Sequence, residues 1–277
     1  MSEFHIKNLS VATDSKTVVE GASLALRDGE VHVLMGPNGS GKSSLLNALM
    51  GHPKYTVTKG AIVLDGEDIT ALPTEKKAQK GIFLSLQHLP EIAGVTLTNF
   101  LHKAYRAVSQ DTRSDQKIQG PEKIQGLAFP KLPLRPDLVF SGTSDITPLD
   151  FYKMMEGKAK EFGIDATFLK KHLNAGLSGG EKKLSEVLQL LALEPKFALL
   201  DEIDSGVDVD ALKKVFAVIE HLRRTKGVGF LLVSHHPNLL QHIKPDHVHV
   251  MKEGKIVASG GKELVEQISQ GGFEVLS

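Results

Sequence analysis

The chain has 277 residues, 41% hydrophobic and 24% charged, enough apolar material for one elaborated soluble domain or two small ones. Lysine plus arginine and aspartate plus glutamate each number 33, so no net field exists to draw in nucleic acid or an anionic membrane. No cysteine is present, which excludes disulfides and thiolate-held metals, and the longest apolar runs, FALL at 197–200 and GFLLV at 229–233, are too short to cross a bilayer. With no basic-then-apolar run in MSEFHIKNLS, the expected protein is soluble and cytoplasmic, without direct membrane insertion and without a nucleic-acid partner.

In chain order, HIKNLSV (5–11) and GAIVLDG (60–66) have the pattern of half-exposed antiparallel strands. Between them VHVLM (31–35) is a buried strand, and SSLLNALM (43–50) is helical. GPNGSGKS at 36–43 joins the two and fits the phosphate-loop pattern in the strand-to-helix context that this pattern requires. Its glycines let backbone amides approach a phosphate chain, and the helix N-terminus adds favourable dipoles. Gly36, Pro37, Asn38, Gly39, Ser40, Gly41, Lys42, Ser43 and Ser44 are therefore candidate nucleotide contacts. Lys42 would meet the β- and γ-phosphates of ATP, and the Ser43 hydroxyl would ligate Mg²⁺.

GIFLSL (81–86) is a further strand, followed by Gln87, which alone is an ordinary loop residue. Residues 109–149 contrast with both flanks: five of the twelve prolines fall between Pro121 and Pro148, and KIQG occurs twice. They are expected to form a polar insertion with little regular structure. DFYKMMEGKAKEFG (150–163) is helical again.

LSGGEKKLSEV (177–187) opens a helix with Ser178 as its cap, but places Gly179 and Gly180 where one capping residue would suffice. Several N–H donors with no side chains in the way amount to a second anion site, most simply used on a nucleotide held by another chain. KFALLDE (196–202) ends a buried strand in two acids. In open α/β sheets ligands bind beyond the carboxyl ends of the strands, so Asp201 would hold Mg²⁺ and Glu202 would activate the water that attacks the γ-phosphate. DALKKVFAVIEHLRR (210–224) is helical, GFLLV is a strand with His235 emerging just beyond it, and PNLLQHI (237–243) is helix-like. HVHVM and KIVASG form a half-exposed terminal hairpin around KEGK, and HVH finds no further metal ligands at suitable spacing. The alternation of buried strands with helices implies an α/β fold, a mostly parallel sheet with helices on both faces.

The order GPNGSGKS, Gln87, LSGGE, FALLDE, SGVD, SHH resembles the ATP-binding cassette (ABC) ATPases, a branch of the P-loop NTPases. That resemblance implies a single ABC ATPase domain over 1–277, with an N-terminal antiparallel β subdomain and a helical subdomain at about 88–180 that carries the 109–149 insertion. It also implies an ATP-dependent head-to-tail homodimer in which Ser178 and Gly180 of one subunit complete the γ-phosphate site of the other. His235 would be the switch histidine, and Gln87 would join Ser43 and Asp201 around Mg²⁺. LSGGEKK, DEIDSGVDVDAL and LSLQHLPEIAGVTLTNFL are further similar to the SufC group, the ATPase subunits of SUF iron–sulfur cluster assembly, over 1–106 and 150–277. This implies SufB–SufD-type soluble scaffold partners, with a membrane transporter's ATPase subunit as the alternative and a non-hydrolysing ATP clamp as a third reading, which Glu202 and His235 disfavour. The sequence departs from the family pattern at three places. Leu184 stands where a basic residue usually follows the signature, VATDSKTVV lacks an aromatic for the adenine so that base stacking is either weaker or replaced by valine contacts, and the 109–149 insertion is added.

Overall fold

The computed structural model describes residues 1–14, 16–85, 92–114, 146–173, 175–235 and 239–271. Strands β1 (Glu3–Thr13) and β2 (Lys16–Arg27) pair antiparallel, with Phe4 facing Leu26. β3 (Val31–Met35) follows, and the glycine-rich loop leads into α1 (Lys42–Met50). β4 (Thr56–Leu64) returns antiparallel to β1, with Ile6 facing Ile62, and turns into the short β5 (Glu67–Asp68). Together these make a four-stranded sheet in the order β2-β1-β4-β5.

α2 (Thr74–Gln79) precedes β6 (Ile82–Ser85). β7 (Ile92–Thr96) and α3 (Leu97–Ser114) follow, then α4 (Pro148–Glu161), which starts with Thr147 accepting from the Asp150 amide at 3.2 Å and proline at its first turn. β8 (His172–Leu173) pairs with β7, and α5 (Gly179–Leu193) runs back to the sheet. β9 (Phe197–Asp201), α6 (Val209–Lys226), β10 (Gly229–Ser234), α7 (Leu239–His242), β11 (His247–Lys252), β12 (Lys255–Gly260) and α8 (Lys262–Gly271) complete the order.

The central sheet runs β12-β11-β3-β10-β9-β6, all parallel except the edge strand β12. Every residue of β3, β9 and β10 is buried, which is why these strands are apolar apart from His32 and the terminal Asp201 and Ser234: both faces of a parallel sheet are covered. Successive side chains supply opposite cores. Val31, Val33, Ala198, Leu200, Phe230 and Leu232 pack with α5 and α6, while Leu34, Phe197, Leu199, Leu231 and Val233 pack with α1 and the antiparallel sheet. Each fully buried Leu, Ile, Val or Phe contributes roughly 1.5–3 kcal/mol. Phe4 stacks on Phe197 at 5.6 Å between ring centroids and fastens the two sheets together.

The expected strand and helix types are found, with three corrections. α3 continues through Ser114 and α4 starts at Pro148, so helix occupies both ends of the stretch expected to be irregular; the rest of it, 115–145, lies outside the described residues. α3 is amphipathic, with Leu97 and Leu101 buried against the core and Phe100 and Tyr105 packed beside them, so its pattern is present in the sequence although it is not among the expected helices. β11 is not half-exposed: four of its six residues are buried, because it pairs with β3 in parallel as well as with β12. β2, α2 and α8 are not among the expected elements, although β2 alternates buried and exposed residues over Ala22–Arg27.

Candidate active site

The register of the central sheet decides what can meet at its edge. Ser234 of β10 is level with Met35 of β3, and Val233 is level with Asp201 of β9. The glycine-rich loop, the acid pair and His235 therefore leave the sheet side by side, at the carboxyl ends of parallel strands where ligands of such sheets bind.

Gly41 caps α1 with φ 106°, and a Cβ there would sit 2.7 Å from the Val18 carbonyl, so only glycine fits this turn. No side chain caps α1, which leaves its first amides to a ligand. Lys42 is buried, 5% exposed, and its ammonium donates to the Gly36 and Pro37 carbonyls at 2.8 and 2.9 Å and to Ser40 Oγ at 3.4 Å. Burial pushes its pKa below the usual lysine range, while the charges of Glu202 and Asp201 act in the opposite direction.

Asp201 is 3% exposed; burial raises its pKa, and a hydrogen bond from Ser43 partly offsets this. Its Oδ1 is buried with no hydrogen-bond partner among the described residues. An orphaned carboxylate oxygen beside a hydroxyl is a set of hard oxygen donors suited to Mg²⁺. Glu202, the next residue, holds φ at 47°, a left-handed conformation rare for a residue with a side chain. Two backbone bonds keep it there: its amide donates to Val233 O at 3.0 Å, and its carbonyl accepts from the Ser205 amide at 3.1 Å. This bend turns the Glu202 side chain to within 3.2 Å of His235 Nδ1.

One cavity of about 640 Å³ joins these groups, lined by residues 38–44, Glu202, His235, residues 16–18 and the turn at Glu253–Gly254. The start of α5 lies elsewhere. Ser178 forms a reciprocal capping box with Glu181: its side chain accepts from the Glu181 amide at 3.3 Å, and its own amide donates to Glu181 Oε2 at 2.8 Å. Lys171 grips the same carboxylate at 2.7 Å and, with the bonds to Ser178, holds its pKa down at about 2.

Residues 19–205 match the family described as ABC transporter. The chain belongs to this family of ATP-hydrolysing ABC ATPases. It is 40% identical over 273 residues to vegetative protein 296 of Bacillus subtilis, covering 99% of this chain and 92% of that one. It is 36% identical to the probable ATP-dependent transporter ycf16 of Antithamnion sp., covering 99% and 97%. In fold it is similar to MJ1267, an ATP-binding cassette of an ABC transporter, with a TM-score of 0.73 at 21% identity and coverage of 100% and 99%.

In this ABC ATPase the expected residues of one chain converge: Asn38–Ser44, Glu202 and His235 line the cavity, while Gly36, Pro37 and Asp201 form the layer behind it. Ser178 and Gly180 are not among the lining residues. Gln87 lies outside the described residues. The paired glycines also have a reason within the chain. A Cβ on Gly179 would lie 2.7 Å from the Gly206 carbonyl, and one on Gly180 would lie 3.1 Å from Asp208 Oδ2. The α5 start is thus pressed against the loop that caps α6, where Asp208 accepts from the Asp210 and Ala211 amides. Lys16, Thr17, Glu253 and Gly254 were not foreseen as cavity residues. Val18, from the segment that lacks the aromatic, also lines the cavity, whereas the KEGK turn carried no signal beyond its hairpin pattern.

Proposed function

We propose that this ABC ATPase couples ATP hydrolysis to iron–sulfur cluster assembly on a SufB–SufD-type soluble scaffold, through a head-to-tail dimer closed by ATP. The reading rests first on one observation: the cavity holds Lys42, Ser43, Glu202 and His235, but the Ser178 helix start of the same chain does not reach it. A triphosphate held there is walled on one side only, and a second copy supplies the missing donors.

In this mechanism amides of Gly39–Ser44 and the Lys42 ammonium, moved off its loop carbonyls, bind the β- and γ-phosphates. Ser43 and Asp201, with Gln87, would hold Mg²⁺, which when bound would supply positive charge to offset that of the phosphate oxygens. Glu202 orients the attacking water and accepts its proton, and His235 steadies the Glu202 carboxylate from 3.2 Å. Ser178 and Gly180 of the second chain direct their donors at the γ-phosphate. Replacing Ser178 with arginine places bulk and positive charge at that junction. The Ser178→Arg chain is expected to bind ATP as a monomer, with affinity within about threefold of wild type, because no Ser178 contact reaches the cavity. It should fail to dimerise with ATP in light scattering; unchanged dimerisation would remove the intersubunit role.

The cluster-assembly assignment draws on LSGGEKK and the segments around Gln87 and Asp201. The absence of cysteine is compatible with it, since the scaffold would ligate the cluster. The second reading, a transporter's ATPase subunit, is favoured by the relative described as a probable ATP-dependent transporter. No helix among the described residues is long and apolar enough to cross a membrane. Affinity purification separates the two readings. Recovery with two soluble proteins is expected, and recovery only in detergent with a multi-span protein would establish the transporter reading instead.

A further inference from the structure

The HVH segment of β11 lacks further metal ligands nearby in the sequence, but the fold brings two to it. His247 lies opposite His32 in the parallel pairing of β11 with β3, and Glu30 lies in the turn that enters β3. Each of Glu30, His32 and His247 offers one ligand atom, and the three atoms lie within 4.8 Å of one another. We propose that Glu30, His32 and His247 bind one divalent transition-metal ion of the zinc class, with two imidazole nitrogens and one carboxylate as ligands and a fourth position open to solvent.

The geometry supports this in three ways. First, His32 Nε2 is already 3.1 Å from Glu30 Oε2, and the His32 and His247 rings are 4.6 Å apart at 52°, so small side-chain rotations suffice to gather a tetrahedral set. Second, a relay stands behind the ligand atoms. His32 Nδ1 is 3.0 Å from His249 Nε2, and His249 Nδ1 is 2.8 Å from Ser259 Oγ. With the ion on Nε2, the Nδ1–H of His32 donates to His249, which donates to Ser259; this is the outer support by which metal-binding imidazoles are oriented. Third, His32 and His249 are buried, 2% and 6% exposed, so packing holds both inner rings in place behind the open side of the site.

The surroundings fix where the ion would enter and what it would displace. His247 is exposed and Glu30 is partly exposed, so the site opens to solvent on that side. Glu30 also accepts from the Arg27 amide at 3.0 Å and faces the Arg27 guanidinium at 3.8 Å; the amide bond orients the carboxylate, and the largely exposed guanidinium can swing away. Asp246, next to His247, is occupied by Arg223 at 2.9 Å and the Val31 amide at 2.8 Å, which leaves it out of the ligand set. Imidazole donors favour zinc-class ions over Mg²⁺, and the cluster sits at the amino ends of β3 and β11, opposite the phosphate loop. It is a separate site from that of the nucleotide.

The test uses the full chain, stripped by chelator and without nucleotide, titrated with Zn²⁺ by calorimetry and with Co²⁺ by visible absorption. One ion per chain is expected, with a Co²⁺ band typical of low coordination number and a melting temperature that rises with Zn²⁺. His247→Ala, on an exposed side chain, and Glu30→Gln should each weaken Zn²⁺ binding at least about tenfold while melting like wild type in chelator. Asp201→Asn should bind Zn²⁺ as wild type does. No saturable binding, unchanged affinity in both His247→Ala and Glu30→Gln, or loss of binding in Asp201→Asn would overturn the proposal.

Discussion

Glu202→Gln is expected to lower kcat by about 10²- to 10⁴-fold while leaving ATP affinity within a few-fold of wild type. The backbone places this side chain: φ is held at 47° by the amide bond to Val233 and the carbonyl bond from Ser205, and neither involves the carboxylate. Glutamine therefore keeps the position and the approach to His235, but cannot take a proton from water. Binding and dimer closure precede the lost step, so the variant should accumulate as an ATP-bound dimer that light scattering detects at twice the monomer mass. Hydrolysis at the wild-type rate would show that another group does this work.

Lys42→Met is expected to weaken ATP binding by at least about 100-fold. Two charge-assisted bonds to phosphate, each worth about 1.5 kcal/mol net, account for a loss of that size. Methionine keeps most of the buried volume, which separates the charge effect from collapse of the loop. The same ammonium has a structural duty, since it satisfies the Gly36 and Pro37 carbonyls. The variant should therefore also lose some thermal stability without nucleotide. Calorimetric titration with ATP measures the first effect and a melting curve the second; unchanged ATP affinity would place Lys42 outside the phosphate site.

The two substitutions divide the site by function. Lys42 reports on capture of the triphosphate by one chain, Glu202 on what happens after capture. A chain altered at Ser178 occupies the step between, since it should capture ATP yet fail to close a dimer around it. Three variants with three different stopping points are a stronger test of the sequence of events than any one of them.

Much of this was legible before folding because it is written in local physics. A glycine-rich turn between a buried strand and a helix, and Ser178 as the cap of α5, are patterns whose partners lie within four residues. Apolar runs at 31–35 (broken only by His32), 197–200 and 229–233 announce a sheet covered on both faces, because water is excluded from either side. Asp201 and Glu202 stand at the end of such a run, so even their edge of the sheet could be named.

What only the tertiary structure decided depends on strand order, which no short window contains. β10 lies between β3 and β9, and this alone brings His235 to Glu202 and Asp201 to Ser43. Pairing of β11 with β3 carries Glu253 and Gly254 to the cavity at one end and His247 to His32 and Glu30 at the other. Gly179 read as a bare anion donor until the fold set the Gly206 carbonyl against it. Local hydrogen bonds and apolar period fix what each segment becomes; the burial of two faces of one sheet fixes which distant side chains become neighbours.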